Sequence, residues 1–114
     1  MIELAIKEYL DSRLSVPVVF EVPENKPDAY VLVEKTGGSR ENMIDSATIA
    51  IQSCSGVSLY MAALLNEEVK TAMDGITIRP DISRAKRNTD YNFTDSQTKT
   101  YRYQAVYDMV YFDS

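Results

Sequence analysis

Histidine and tryptophan are absent from this 114-residue chain, and cysteine occurs once, at Cys54. Without histidine the commonest general base is missing, and with it every Ser-His triad. One cysteine excludes an internal disulfide framework, and the lack of histidine argues against an all-protein zinc site. Four glycines and four prolines are too few for a collagen-like or Pro/Gly-rich disordered chain. No apolar run approaches the roughly 20 residues that span a bilayer, so no membrane association is expected. The opening Met1-Ile2-Glu3-Leu4 lacks the basic and long apolar regions of a signal peptide. These absences argue against an enzyme, and no cofactor is expected.

What is present suits one soluble domain. Hydrophobic residues make up 45% and charged residues 25%, both ordinary for a globular chain of this length. The net charge of −5 is unevenly spread. Acidic groups outnumber basic ones two to one over residues 1–78. Residues 79–102 invert that ratio, with Arg79, Arg84, Lys86, Arg87, Lys99 and Arg102 against Asp81, Asp90 and Asp95. Asp108 and Asp113 follow. A net-acidic chain is poorly suited to stable nucleic-acid binding, which draws on phosphate neutralisation.

The periodicity predicts an order of elements. Ile2, Ala5, Ile6, Tyr9 and Leu10 fall at helical spacing, and this helix must end before Pro17. Residues 17–22 and 29–36 read as strands, separated by a turn with two prolines. Residues 37–42 read as a polar loop. Residues 43–54 alternate as a strand, with Asp45, Ala47, Ile49, Ile51 and Ser53 on one face. The two strands and the Gly-Gly segment between them form a hairpin in this reading. A second helix is capped by Ser58 or Ser55 and ends before Gly75. Leu59, Ala62, Ala63, Leu65 or Leu64, Val69, Ala72 and Met73 form its apolar stripe, with Asn66, Glu67, Glu68 and Lys70 in solvent. Residues 76–86 read as a strand bent at Pro80, and residues 88–98 as a polar loop. Residues 100–112 alternate as a long strand with Tyr101, Tyr103, Ala105, Tyr107, Met109 and Tyr111 on one face. The expected fold is α+β: a two-layer sandwich with a mostly antiparallel or mixed sheet of about four to five strands and two helices on one face.

Few residues form constellations with chemical meaning. Gly37-Gly38-Ser39 lacks the Gly-Lys-Ser/Thr ending of a phosphate-binding loop and reads as a hairpin tip. With Arg40, Glu41 and Asn42 it could serve as a docking arm. Cys54 lies in an apolar alternating strand and reads as a buried structural thiol. The basic segment 79–87, with Tyr91 and Phe93 beyond it, could contact a phosphate backbone and stack bases. The plainer reading is an exposed strand whose charges meet acidic neighbours or another subunit. The tyrosine face of the last strand fits either the layer that meets the helices or an assembly surface.

One resemblance covers nearly the whole chain. Val31-Leu32-Val33-Glu34-Lys35-Thr36-Gly37-Gly38-Ser39-Arg40-Glu41-Asn42 is followed by Ile44-Asp45-Ser46-Ala47 and Ala50-Ile51-Gln52-Ser53. A helix with Ala62, Leu65, Val69 and Met73 comes next, and the chain closes with Tyr101-Arg102-Tyr103-Gln104-Ala105-Val106-Tyr107-Asp108. This pattern resembles the small tail terminator (tail completion) proteins of tailed bacteriophages and prophages. The resemblance implies a structural role without a cofactor. Such proteins form a hexameric ring on the head-proximal end of the tail tube. The ring stops tube growth and presents a surface to the head connector, while DNA passes through its lumen. It implies as partners the chain's own copies, the tail tube protein and a head–tail connector or completion protein. It implies a place in the virion, after assembly in the bacterial cytoplasm.

The resemblance assigns no individual functional residue. From the residues themselves, the candidates for ring, tube or connector contacts are Gly37, Gly38, Ser39, Arg40, Glu41, Asn42, Arg84, Lys86, Arg87, Tyr91 and Phe93. Two other readings stand beside the terminator. One is another head–tail junction component, either a connector-side completion protein or the tube protein itself. The other is a small cellular binding domain, or an enzyme that works with carboxylates and tyrosine.

Overall fold

The computed structural model describes residues 1–98 and 100–112; Lys99 and Asp113, counted in the charge balance, lie outside them. The elements run α1 (Ile2–Asp11), β1 (Val18–Val19), β2 (Ala29–Glu41), β3 (Ile44–Ser55), α2 (Leu59–Met73), a 3₁₀ turn (Ile76–Ile78), β4 (Ile82–Asn92) and β5 (Tyr101–Tyr111). The strands form one open, mixed sheet in the order β1-β2-β3-β5-β4. Only the β1–β2 pair is parallel. Both helices contribute to one core on one face of the sheet, which is the expected two-layer α+β arrangement.

The core follows from the two periodicities. Helix α1 buries Ile2, Ala5, Ile6, Tyr9 and Leu10, the residues at helical spacing. Helix α2 buries Ala62, Leu65, Val69 and Met73. They close over Ile49 and Ile51 of β3 and Ala105, Tyr107 and Met109 of β5. Each large aliphatic side chain so buried stabilises the fold by about 1.5–3 kcal/mol relative to exposure. Leu65, 5% exposed, is the inward leucine, and Leu64, 42% exposed, points outward.

Capping fixes where α2 begins and ends. The Ser58 hydroxyl accepts from the Met61 N–H at 3.1 Å, satisfying an N-terminal donor that the helix leaves unpaired. Ser55 serves the preceding turn, accepting from the N–H of Val57 at 3.1 Å. Past the C-terminus, Gly75 leaves room for the Tyr9 hydroxyl: a Cβ there would sit 2.9 Å from that oxygen. Tyr9 in turn donates to the Ala72 carbonyl at 2.7 Å, tying α1 to the end of α2.

Several expectations need correction. Residues 37–42 are not a loop. β2 runs to Glu41, and the hairpin closes through Asn42 and Met43 alone, both at positive φ (52° and 65°). The two glycines sit at negative φ in the β2 ladder, opposite Thr48 and Ala47. The Pro17–Val22 strand shrinks to Val18–Val19. Residues 76–78 form a 3₁₀ turn rather than a strand, since Pro80 removes a ladder donor, and β4 starts at Ile82. Residues 88–92 are strand rather than loop, because β5 offers them a paired backbone out to Tyr103. Asn66, read as solvated, is 2% exposed.

Candidate assembly surfaces

The sheet register decides which candidate residues meet. On the helix-free face, one row across the strands holds Gly37, Thr48, Asp108 and Lys86. The adjacent row holds Ser39, Ser46, Val110 and Arg84. These rows line a shallow depression of about 420 Å³. Candidates 45 residues apart in the chain therefore share one surface, because β2 and β4 flank β3 and β5. Asp108 sits among the basic groups, accepting from Asn88 at 2.6 Å and from the Thr48 hydroxyl at 3.4 Å.

Other candidates fall elsewhere. Arg40 and Asp45 oppose each other near the hairpin tip, with Nε 3.9 Å from the carboxylate. Arg87 shares a row with Tyr107 on the helix side and reaches Asp74 at 4.0 Å. It therefore links β4 to the end of α2 and is separated from Arg84 and Lys86. Tyr91, near the end of β4, meets Phe93 edge-on with centroids 5.9 Å apart. The Arg102 guanidinium lies 5.0 Å over the Phe93 ring, a cation–π contact. Part of the basic segment is thus occupied by internal pairing: Arg79 binds Asp81 at 3.0 Å and reaches Glu8 at 3.4 Å.

Two polar clusters escaped the sequence reading. On the helix side, Asp90 of β4 accepts from Asn66 and Lys70 of α2, each at 3.0 Å. The Lys70 ammonium foremost holds the Asp90 carboxyl below its ordinary value. On the helix-free side, Arg102 donates to Gln52 at 3.4 Å, Gln52 to Gln104 at 3.1 Å, and Gln104 to the Tyr91 oxygen at 2.5 Å. Both glutamines are buried. Their only trace in the sequence is a glutamine on the same face of each of two strands; the pairing itself needs the register.

Cys54 is buried beside Tyr30, its β2 partner. Burial pushes the thiol up to about 11 and the Tyr30 phenol up to about 12. A thiol so protonated is a poor nucleophile at neutral pH, which agrees with the structural role read for it. Among the described residues, no three His, Cys, Asp or Glu side chains gather in a metal-holding group, and no helix is long and apolar enough to cross a membrane.

In comparison with known proteins, no family model and no curated sequence matches this chain.

Proposed function

We propose that the chain is a tail terminator: a structural protein that caps the head-proximal end of a phage tail tube as a hexameric ring. The observation that carries this reading is that the one open sheet ends in two unlike free edges. At one edge β2 continues past its two-residue pairing with β1 into a hairpin that turns through Asn42 and Met43. At the other, β4 carries Arg84 and Lys86 along an exposed strand. A closed head-to-tail ring requires two such unlike patches on each subunit. The sequence resemblance supplies the identity of the assembly.

In this reading the ring binds tube protein on one side and the head connector on the other. DNA passes through the lumen without specific binding. The interleaving of Asp108 with Arg84 and Lys86 keeps that surface from becoming a strong phosphate trap. The protein assembles in the bacterial cytoplasm and ends in the virion. The reading is tested by adding purified protein to tube subunits during polymerisation. Arrest of elongation, with density capping one tube end, is the expected result. Tubes that elongate unchanged contradict it.

A further inference from the structure

We infer that the free edge of β4 in one copy pairs with the free edge of β2 in the next, with Arg84 opposite Glu41 and Asp90 opposite Lys35. This rests on the ring assembly proposed above and names the contact that would join its subunits.

The first observation is two open edges that suit each other in direction. β1 pairs only with Val31 and Leu32. Among the described residues, Lys35–Glu41 of β2 therefore has β3 on one side and no strand on the other. β4 is the last strand at the opposite end of the sheet. Both runs are largely exposed, and neither holds a proline to remove a donor. From β2 to β4 every neighbouring pair is antiparallel, so β2 and β4 of one chain run in opposite directions. A copy added beside β4 in the same orientation meets it with an antiparallel β2. Both helical layers then lie on one face of the joined sheet.

The second observation fixes the register. The backbone groups of a strand turn alternately to its two sides. The Val31 N–H donates to Pro17 on the β1 side, so Lys35 also turns outward. The irregularity at Thr36 moves the alternation to Gly38 and Arg40. The Phe93 N–H donates to Arg102 of β5, so Asp90 turns outward. The irregularity at Asn88 moves that alternation to Arg87 and Ala85. Outward groups must meet outward groups. Ala85, Arg87 and Asp90 can therefore face Arg40, Gly38 and Lys35. In that setting the two irregularities coincide: Asn88 and Thr89 lie opposite Gly37 and Thr36, two residues in each strand where a regular strand has one.

Charge selects the same register and a second copy as the occupant. Arg84 then faces Glu41 on the helix-free side, and Lys35 faces Asp90 on the helix side. Among the described residues, Arg84, Glu41 and Lys35 take part in no ion pair. Both bonds that Asp90 accepts fall on Oδ2, which leaves Oδ1 for Lys35. No like charges face each other. Sliding by one outward position either way sets Arg87 opposite Arg40 or Lys35, and like charges directly opposite destabilise a sheet. Two β4 edges meeting each other would set Arg84, Lys86 and Arg87 against the same three residues. The contact is head-to-tail and leaves each copy one further edge to use.

The test is disulfide linkage of the full chain. In this register Lys86 and Ser39 of the next copy form a pair without backbone hydrogen bonds, with Cα atoms about 4.5 Å apart, inside disulfide reach. Within one chain they sit three strand spacings apart, at least about 14 Å, and cannot link. Both are exposed, and the native Cys54 is buried. Ser39→Cys/Lys86→Cys should give a ladder of covalent oligomers on mild oxidation at high protein concentration. A mixture of the two single variants should stop at the dimer. Ser39→Cys/Arg84→Cys, one step out of register, should link at least about tenfold more slowly. Without cysteines, Arg84→Glu should weaken association about tenfold in sedimentation velocity, and Arg84→Glu/Glu41→Arg should restore it. The inference is overturned by a double variant that stays monomeric, by equal rates in and out of register, or by a charge swap that restores nothing. Tail length reports separately. Linkage through this seam in a protein without effect on tails would sink the terminator reading alone, and overlong tails without linkage would sink this inference alone.

Discussion

Lys70 of α2 and Asp90 of β4 meet at 3.0 Å across the helix–sheet boundary, with Asn66 donating to the same carboxylate oxygen. This contact holds a polar edge strand against the helical layer. β4 has few large apolar residues beyond Ile82 to do so. Asp90→Ala would leave the buried Asn66 amide without its acceptor and Lys70 without one of its two carboxylates. A loss of about 1–3 kcal/mol is expected, the usual cost of orphaning a buried donor. Denaturant unfolding of the two proteins checks it.

The same carboxylate sets an acid limit. Its folded pKa is depressed by Lys70 and Asn66, and that of Asp81 by Arg79. A depressed carboxyl contributes stability above its unfolded value, about 3.9 for Asp, and loses it as pH falls through the lower folded value. The melting temperature should therefore drop below about pH 4, and less steeply in Asp90→Asn. An equal slope in both proteins would remove Asp90 from the explanation.

At the alkaline end the sign reverses. Cys54 is raised to about 11 and Tyr30 to about 12. For these acids the fold favours the neutral form. That stability is complete below their unfolded values and is lost as pH climbs through the folded ones. Stability should decline as pH rises past 9, towards about 12. At pH 8 the native thiol should react with a disulfide reagent far more slowly than the unfolded one. Equal rates would show that Cys54 is not shielded.

Neighbouring leucines on α2 should behave oppositely. Leu65→Asp places a carboxylate in the core and should cost about 4 kcal/mol or more. Leu64→Asp, on the outer face, should cost less than about 1 kcal/mol. Circular dichroism and thermal melts distinguish them. A folded Leu65→Asp protein would contradict the helix facing.

Charge reversal at Arg40 or Glu41 should leave the fold intact. Arg40 is itself exposed and reaches the half-buried Asp45 only at 3.9 Å, and so long a pair contributes about 0–1 kcal/mol. The reversed proteins should melt normally yet dock poorly on tubes or connectors. Normal docking would take the hairpin out of the assembly surface.

Periodicity made α1, α2, β3 and β5 legible, because each alternates or repeats against a single core. It could not choose between Leu64 and Leu65, which differ by one residue of helical rotation. Residues 37–42 and 88–92 look like loops, because glycine and short polar residues weaken intrinsic strand preference. They are strands because β3 and β5 offer them paired backbone, a tertiary effect absent from local sequence. The candidate surface was half legible. Arg84, Lys86 and the glycines could be picked out, but their meeting across four strands depends on register. Arg87 belongs to the other face, since the bulge at Asn88 follows it and the one at Ser83 precedes Arg84.

The most direct measurement is the distribution of tail lengths by electron microscopy, in particles made with and without this gene. The terminator account predicts overlong, headless tubes in its absence and normal length on its return. Normal, infectious particles without the gene would contradict it. Tubes of normal length that fail to join heads would also contradict it and would place the protein on the connector side of the junction.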